Sequence, residues 1–157
     1  MKITNVLFVR RGDEILLAMK KRGFGAGKWN GVGGKVQEGE NMSQAMVRET
    51  KEEIGIDIQE QDLQKVGELE FYFPEKEGWD IYLDVFFTYK WAGEPIETEE
   101  MKPKWFSVSD IPLDQMWIDD KFWLPGAIDG KKFKAKCYFK GEGEEVKDFK
   151  IDWVEGF

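Results

Sequence analysis

The sequence predicts an α+β fold, because several strand-like segments are interspersed with two helical ones. Apolar and polar side chains alternate along residues 79–91, as expected of a half-buried strand. Residues 42–54 have helical periodicity and are followed by Gly55, a typical helix C-cap. The other predicted elements are strands at residues 3–9, 15–19 and 104–108, a helix at 116–128 that Pro125 and Gly126 are expected to shorten, an alternating strand at 132–140 and a final strand ending near Trp153.

The length and composition indicate one domain over residues 1–157, since 157 residues is close to a common domain size. Hydrophobic residues make up 41% of the chain, which is enough to build a core. No apolar run approaches the roughly 20 residues of a spanning helix, and the N-terminus lacks a signal-peptide pattern. We therefore expect a cytoplasmic protein without a membrane partner.

The chain has no histidine and a single cysteine, and these two counts exclude several kinds of site. A Ser-His-Asp triad, a histidine-ligated metal, an internal disulfide and a cysteine-rich zinc site are all impossible. Any acid–base chemistry must fall to carboxylates, lysine, tyrosine or a water activated by a metal. Cys137 alternates with core positions, so we expect it to be a buried structural thiol.

The formal net charge of −8 disfavours a broad surface for a nucleic acid polymer, which needs an excess of lysine and arginine. An acidic protein can still bind a small phosphorylated molecule through local cations and a bridging divalent metal. The charge therefore favours a small phosphorylated molecule over a nucleic acid polymer as the partner. Nothing in the sequence indicates an obligate dimer, so we expect a monomer.

Three carboxylates share one arc of the predicted helix at 42–54: Glu49, Glu52 and Glu53 are related by three and four residues. Like charges this close repel one another, and Arg48 alone does not neutralise three glutamates. A hard divalent cation with oxygen ligands would do so. The alternative is an ordinary solvated helix face. The glycine-rich approach to the helix, through Gly33 and Gly34, favours the cation because backbone N–H groups there can meet an anion.

Residues 34–56 resemble the signature box of the Nudix hydrolases: Gly34, five residues, Glu40, seven residues, then RETKEEIGI. Thr50 replaces the usual aliphatic residue, and the other fixed positions match. The resemblance implies a mixed β-sheet sandwiched between α-helices. It also implies that Glu49, Glu52, Glu53 and the backbone at Gly33 hold Mg²⁺, with Mn²⁺ as an alternative, that Arg48 orients a glutamate, and that a water activated by the metal attacks phosphorus.

Four further segments, at residues 20–31, 100–106, 116–125 and 131–133, are similar to the MutT-type branch of that family, which hydrolyses oxidised purine nucleoside triphosphates. The resemblance implies that Asn30, Asp119 and Asp120 read the base, and that Glu100 adds a carboxylate at the metal or acts as the base. If both aspartates are buried, one of them should stay protonated. An N-cap with a first-turn carboxylate is the alternative for this pair.

Flat purine rings favour aromatic walls, and several residues suit such a pocket. Trp117 and Trp123 could equally be core residues, and Lys20 could be a solvated lysine or a phosphate ligand. Asn5 stands where the related enzymes have a pocket threonine. The remaining substrate-binding candidates are Phe24, Phe71, Met101, Gly33 and Gly34.

The leading hypothesis is thus a nucleotide-pool sanitising hydrolase that serves DNA repair. It converts 8-oxo-dGTP, and as a second candidate 2-hydroxy-dATP, to the monophosphate and pyrophosphate. One alternative is a Nudix hydrolase of dinucleoside polyphosphates, nucleotide sugars or methylated purine triphosphates. The other is a catalytically silent Nudix domain that binds a nucleotide.

Overall fold

Eight strands form one mixed sheet with a helix on each of its two faces, in a computed structural model that describes residues 1–157. Neither helix is long and apolar enough to cross a membrane. Single turns of 3₁₀ helix lie at Glu60–Asp62, Val108–Asp110 and Leu113–Gln115. The main elements are β1 (Lys2–Arg11), β2 (Glu14–Lys20), β3 (Trp29–Asn30), α1 (Met42–Ile54), β4 (Gln64–Tyr72), β5 (Ile81–Thr88), β6 (Met101–Ser107), α2 (Asp120–Ile128), β7 (Lys132–Lys140) and β8 (Glu145–Val154).

The strand order is β3-β2-β1-β5-β4-β7-β8, and β6 also pairs with β2. Two neighbouring pairs, β1 with β5 and β4 with β7, are parallel, and the others are antiparallel. Strand β1 is therefore central, and its N-terminal half also meets the glycine-rich loop that precedes α1. The bridges Thr4–Lys35 and Leu7–Val32 fix that loop along β1.

Successive residues of β1 point to opposite faces and so enter two separate cores. Val6 and Phe8 belong to a core that includes Trp123 and Leu124 of α2. Leu7 and Val9 belong to a core that α1 covers with residues such as Met46. Each helix thus covers one face of the sheet with its apolar side. This is the layered arrangement that the family resemblance predicts.

Helix α1 has the bounds that the sequence predicts, because both of its ends are capped. The side chain of Asn41 accepts from the N–H of Gln44 at 2.9 Å, and Gln44 accepts in return from the N–H of Asn41 at 2.9 Å. At the other end Gly55 has a φ of 76°, a left-handed conformation that glycine adopts without strain. Its N–H donates to the Lys51 carbonyl and closes the last turn.

The secondary structure differs from the sequence-based expectation at four points. The second helix begins at Asp120 rather than at residue 116, because Met116 is extended and buried in the core beside the helix. Pro125 lies inside α2, which continues to Ile128. Strand β4 was missed, since its alternation is interrupted by a register shift between Lys65 and Gly67. Strand β5 covers Ile81–Thr88, a shorter stretch than the alternation at 79–91 indicates.

Candidate active site

Glu49, Glu52 and Glu53 of α1 form an acidic cluster with Glu40 and Glu100 from the flanking loops. Arg48 contacts three of these glutamates. Its Nη2 lies 2.7 Å from Glu40 Oε1, and its Nη1 lies 3.0 Å from Glu49 Oε1 and 3.2 Å from Glu52 Oε2. Hydrogen bonding to Arg48 lowers the pKa of the Glu40 carboxyl. Glu40 and Arg48 thus form a pair that aligns one edge of the guanidinium and leaves the other for Glu49 and Glu52.

Glu53 lies on the inner side of α1, where its carboxylate is buried and meets the glycine-rich loop. Its Oε2 accepts from the N–H of Gly33 at 3.3 Å. Burial, followed by the negative charge of Glu49, raises the pKa of Glu53 to about 8. Glu49 and Glu53 are therefore two crowded carboxylates, and Arg48 contacts only Glu49 of these two.

The loop can approach these carboxylates because it carries glycine at two consecutive positions, Gly33 and Gly34. A Cβ on Gly34 would lie 2.7 Å from Glu49 Oε1, and a Cβ on Gly33 would overlap the Asn5 carbonyl. Asn5 contributes directly, since its Oδ1 accepts from the N–H of Gly34 at 3.0 Å. Side chains at these positions would push the loop away from both β1 and α1.

The acidic cluster suits a divalent cation by its chemistry. Carboxylate and backbone carbonyl oxygens are the ligands that Mg²⁺ prefers, and a cation would offset the repulsion between Glu49 and Glu53. No three acidic side chains converge as they stand, because Arg48 holds Glu52 at the exposed edge of the helix. The ligands that would hold the cation are Glu49, Glu52, Glu53, Glu100 and the backbone at Gly33.

Glu100 comes from the loop before β6 and adds its charge from the opposite side of the cluster. Its negative charge is a further cause of the raised pKa of Glu53. The Glu100 side chain is 60% exposed, and its Oε1 lies 3.6 Å from Arg22 Nη2. Arg48 thus contacts Glu49 and Glu52 directly, Glu53 lies beside Glu49, and Glu100 acts on Glu53 through its charge.

Two adjoining cavities share part of their lining, and the larger one reaches the acidic cluster. The smaller has a volume of about 190 Å³ and is mostly apolar, with Asp119 and Asp120 among its lining residues. The larger, of about 370 Å³, is lined by Lys20 and Gly33 as well as by Glu53 and Glu100. The side chains that line both cavities are Thr4, Val6, Phe24, Asn30, Leu83 and Trp117.

Asp119 and Asp120 are both buried at the smaller cavity. Asp119 Oδ2 accepts from the indole Nε1 of Trp123 at 2.9 Å, whereas Asp120 Oδ2 has no hydrogen-bond partner. Burial raises the pKa of both carboxyls, and the charge of Asp119 raises that of Asp120 further. Asp119 occupies the N-cap position of α2 but makes no capping bond with its side chain. Capping is therefore not the role of this pair.

The opening of the smaller cavity is aromatic and carries one amide. The rings of Phe24 and Trp117 pack with centroids 5.2 Å apart, and Phe24 is 70% exposed. Asn30 Oδ1 accepts from the N–H of Gly31 at 2.8 Å. The Asn30 NH₂ group makes no hydrogen bond within the protein, so it remains available to a ligand of the cavities.

The other predicted substrate-binding residues lie close by, although not all on one cavity. Phe71 stacks on Phe139 and lines the smaller cavity. Trp123 also lines this cavity, and it is a core residue as well. Asn5, Gly34 and Met101 line only the larger one. Sequence reasoning missed Phe73, Ile81, Phe139 and Glu142 of the smaller cavity and Lys28 of the larger one. Ile81 and Phe139 lie in alternating strands, and this pattern predicts core positions. No pattern in the sequence shows that their side chains also line a cavity.

A pH-dependent effect on stability follows from the buried carboxyl pair. The pKa of the Asp120 carboxyl is higher in the folded protein than its ordinary value of 3.8. Such a carboxyl contributes its full stabilisation at a pH below 3.8. The contribution is lost as the pH rises through the folded pKa. As the pH rises from 4 to 8, the free energy of unfolding of Asp120→Asn, measured in urea, should therefore increase relative to that of the unchanged protein. Asp152→Asn, on the exposed face of β8, is the control; an equal trend in both variants would contradict the assignment.

Comparison with known proteins shows which family the chain resembles. Residues 2–126 match the NUDIX domain. The chain is 46% identical over 155 residues to an oxidized purine nucleoside triphosphate hydrolase of Danio rerio, with 98% of this chain and 95% of the relative covered. A Mus musculus protein of the same name is 38% identical over 157 residues, with 99% and 97% covered.

Solved structures agree in fold. The crystal structure of a MutT protein from Bacillus halodurans superposes with a TM-score of 0.83 at 23% identity, over 97% of this chain and 98% of that one. A MutT NUDIX hydrolase from Burkholderia pseudomallei gives a TM-score of 0.63 at 27% identity, over 71% and 86%. The family predicted from residues 34–56 and the predicted fold are thus confirmed, and the chain belongs to the Nudix family.

Proposed function

We propose that this Nudix protein hydrolyses oxidised purine nucleoside triphosphates, with 8-oxo-dGTP and 2-hydroxy-dATP as the candidates, to the monophosphate and pyrophosphate. The observation that carries the proposal is the buried pair Asp119–Asp120 in an aromatic cavity that adjoins the acidic cluster. The names of the zebrafish and mouse relatives support the same class of substrate.

The base would bind in the smaller cavity. Aromatic side chains stack on or wall a flat purine, and Phe24 and Trp117 stand at the opening for that role. The Asn30 amide donates to an acceptor on the base edge. Of the two aspartates, the protonated one donates to a ring carbonyl and the ionised one accepts from a ring N–H. A pair that exchanges its proton can accept more than one oxidised purine.

The triphosphate would extend into the larger cavity, towards the acidic cluster. There Glu49, Glu52, Glu53, Glu100 and the Gly33 backbone hold the divalent cation, for which we propose Mg²⁺ with Mn²⁺ as an alternative. When bound, that cation offsets charge on the phosphates and acidifies a water. Arg48 keeps Glu49 and Glu52 aligned along the helix. Lys20 and Lys28, which line the same cavity, supply positive charge for the outer phosphates.

We also propose that residues 1–157 act as a single catalytic domain, as a monomer in the cytoplasm, on free nucleotides. The acidic balance of the chain supports the last point, because a net charge of −8 repels a nucleic acid polymer. Hydrolysis of oxidised precursors would serve DNA repair by keeping them out of the nucleotide pool.

Pyrophosphate release tests the proposal directly. With Mg²⁺ present and nucleotides at low micromolar concentration, we expect 8-oxo-dGTP and 2-hydroxy-dATP to be hydrolysed in preference to dGTP. Metal-dependent release without that preference would reject the assignment of the base cavity. No release from any of the three would reject the proposed substrate class, and dinucleoside polyphosphates, nucleotide sugars and methylated purine triphosphates would then be assayed.

Replacing Glu53 with Gln tests the acidic cluster. Glutamine keeps an oxygen for the Gly33 N–H but removes the charge needed to hold a divalent cation. We expect kcat to fall on the order of a hundredfold or more while nucleotide binding is largely retained. Glu145→Gln, an exposed carboxylate on β8, is the matched control and should leave kcat unchanged. Full activity in Glu53→Gln would refute the proposed cation site.

Replacing Asp119 with Ala tests base recognition. The change removes one acceptor from the cavity and leaves the Trp123 N–H without its partner. We expect the ratio of kcat/KM between 8-oxo-dGTP and dGTP to fall about ten- to hundredfold, as for an unpaired buried polar group. Asp114→Ala, in an exposed turn, should leave the ratio unchanged. An unchanged ratio in Asp119→Ala, with circular dichroism showing a folded protein, would contradict the reading of the base by this pair.

A further inference from the structure

Thr98 lies in the loop between β5 and β6 and joins two parts of the acidic cluster through its hydroxyl group. Oγ1 donates to the backbone carbonyl of Glu53 at 2.9 Å. The same oxygen accepts from the backbone N–H of Glu100 at 3.3 Å and of Met101 at 3.2 Å. One hydroxyl thus spans the distance between the last turn of α1 and the loop that carries Glu100.

Lys21 holds the same loop from the other side. Its backbone N–H donates to the Glu100 carbonyl at 2.8 Å. Its Nζ lies 2.6 Å from Glu97 Oε2 and donates to the Thr98 carbonyl at 2.9 Å. The pKa of Glu97 is lowered by this hydrogen bond to Lys21. Both backbone polar groups of Glu100 are therefore engaged, although its side chain stays largely exposed.

Docking of the loop on α1 does not depend on the Thr98 hydroxyl. The N–H of Ile96 donates to the Ile54 carbonyl at 2.9 Å, and the Ile96 side chain packs beside Gly55. These contacts hold the loop against the end of the helix two residues before Thr98. What the hydroxyl adds is local, because its acceptor is Glu53 and its donors are Glu100 and the next residue.

We propose that Thr98 is a positioning residue that holds Glu100 in register with Glu53, with Lys21 as its support. The inference rests on the proposed function, since it assigns Glu100 a part in the same reaction. Thr98 acts through Glu100 and touches neither substrate nor cation itself.

A double-mutant cycle with Thr98→Val and Glu100→Gln tests this coupling. Valine has the shape of threonine but lacks the hydroxyl, so Thr98→Val should lower kcat about tenfold and leave the KM for 8-oxo-dGTP unchanged. In the Glu100→Gln background the same change should cost less than twofold. A full tenfold loss in that background, or no loss in the unchanged protein, would overturn the proposal.

Two control variants separate positioning from general damage. Thr98→Ser keeps the hydroxyl and should stay within about threefold of the unchanged kcat. Thr88→Val removes a buried hydroxyl that bonds only to Lys90, at the start of the same loop, and should have no effect. If Thr98→Val does not fold, Lys21→Met takes its place in the cycle, because it removes the exposed bonds to Glu97 and the Thr98 carbonyl. A loss in Lys21→Met that persists with Glu100→Gln would overturn the proposal.

Binding of Mn²⁺ without nucleotide, followed by electron paramagnetic resonance, gives a readout that does not need turnover. Thr98→Val and Glu100→Gln should change the Mn²⁺ dissociation constant by the same factor. A weaker affinity in Thr98→Val alone would show that the hydroxyl acts on α1 and not through Glu100. If the unchanged protein hydrolyses none of the nucleotides, the proposed function fails, whereas the comparison of Mn²⁺ affinities still tests the coupling.

Discussion

Repulsion between carboxylates at the inner end of α1 is the constraint on which the rest of this site depends. Glu49 and Glu53 are crowded, partly buried and served by a single guanidinium. Arg48 compensates one side of the cluster, and Glu40 holds Arg48 in place. On the other side the repulsion is relieved by a proton on Glu53, whose pKa is raised to about 8, or by a bound cation. Glycine at positions 33 and 34 has a steric origin, because a Cβ would overlap the Asn5 carbonyl at Gly33 and the Glu49 carboxylate at Gly34.

The sheet determines how the two cavities meet. Because β1 is central and its residues alternate between two cores, Val6 and Thr4 reach the apolar cavity while Asn5 holds the glycine-rich loop. Asn30 lies on the short strand β3 beside β2, at the boundary between the two spaces. The two cavities therefore share one stretch of wall, which includes Thr4, Val6 and Asn30.

How far the site could be predicted from the sequence depended on whether each part is local. The bounds of α1, its caps and the row of glutamates follow from residues close in the chain, and the structure agrees with them. The wall formed by Ile81 and Phe139 could not be predicted, since it depends on which end of a core strand remains uncovered. The predicted start of α2 was wrong because Met116 is extended and packs in the core. Tertiary packing overrides helical periodicity there. The contact between Thr98 and Glu53 joins residues 45 positions apart and leaves no pattern in the sequence.

The indole hydrogen bond from Trp123 makes the two aspartates unequal. Because that N–H donates to Asp119, it favours the ionised form of Asp119 and leaves the shared proton on Asp120. The position of one proton, and with it the pattern of donors and acceptors presented to a base, is thus set by a side chain of the apolar core. Substitutions that merely tilt this indole would shift that pattern while leaving both aspartates in place. Because Trp123 belongs to the core as well as to the cavity, core packing and the polarity of the cavity cannot change independently.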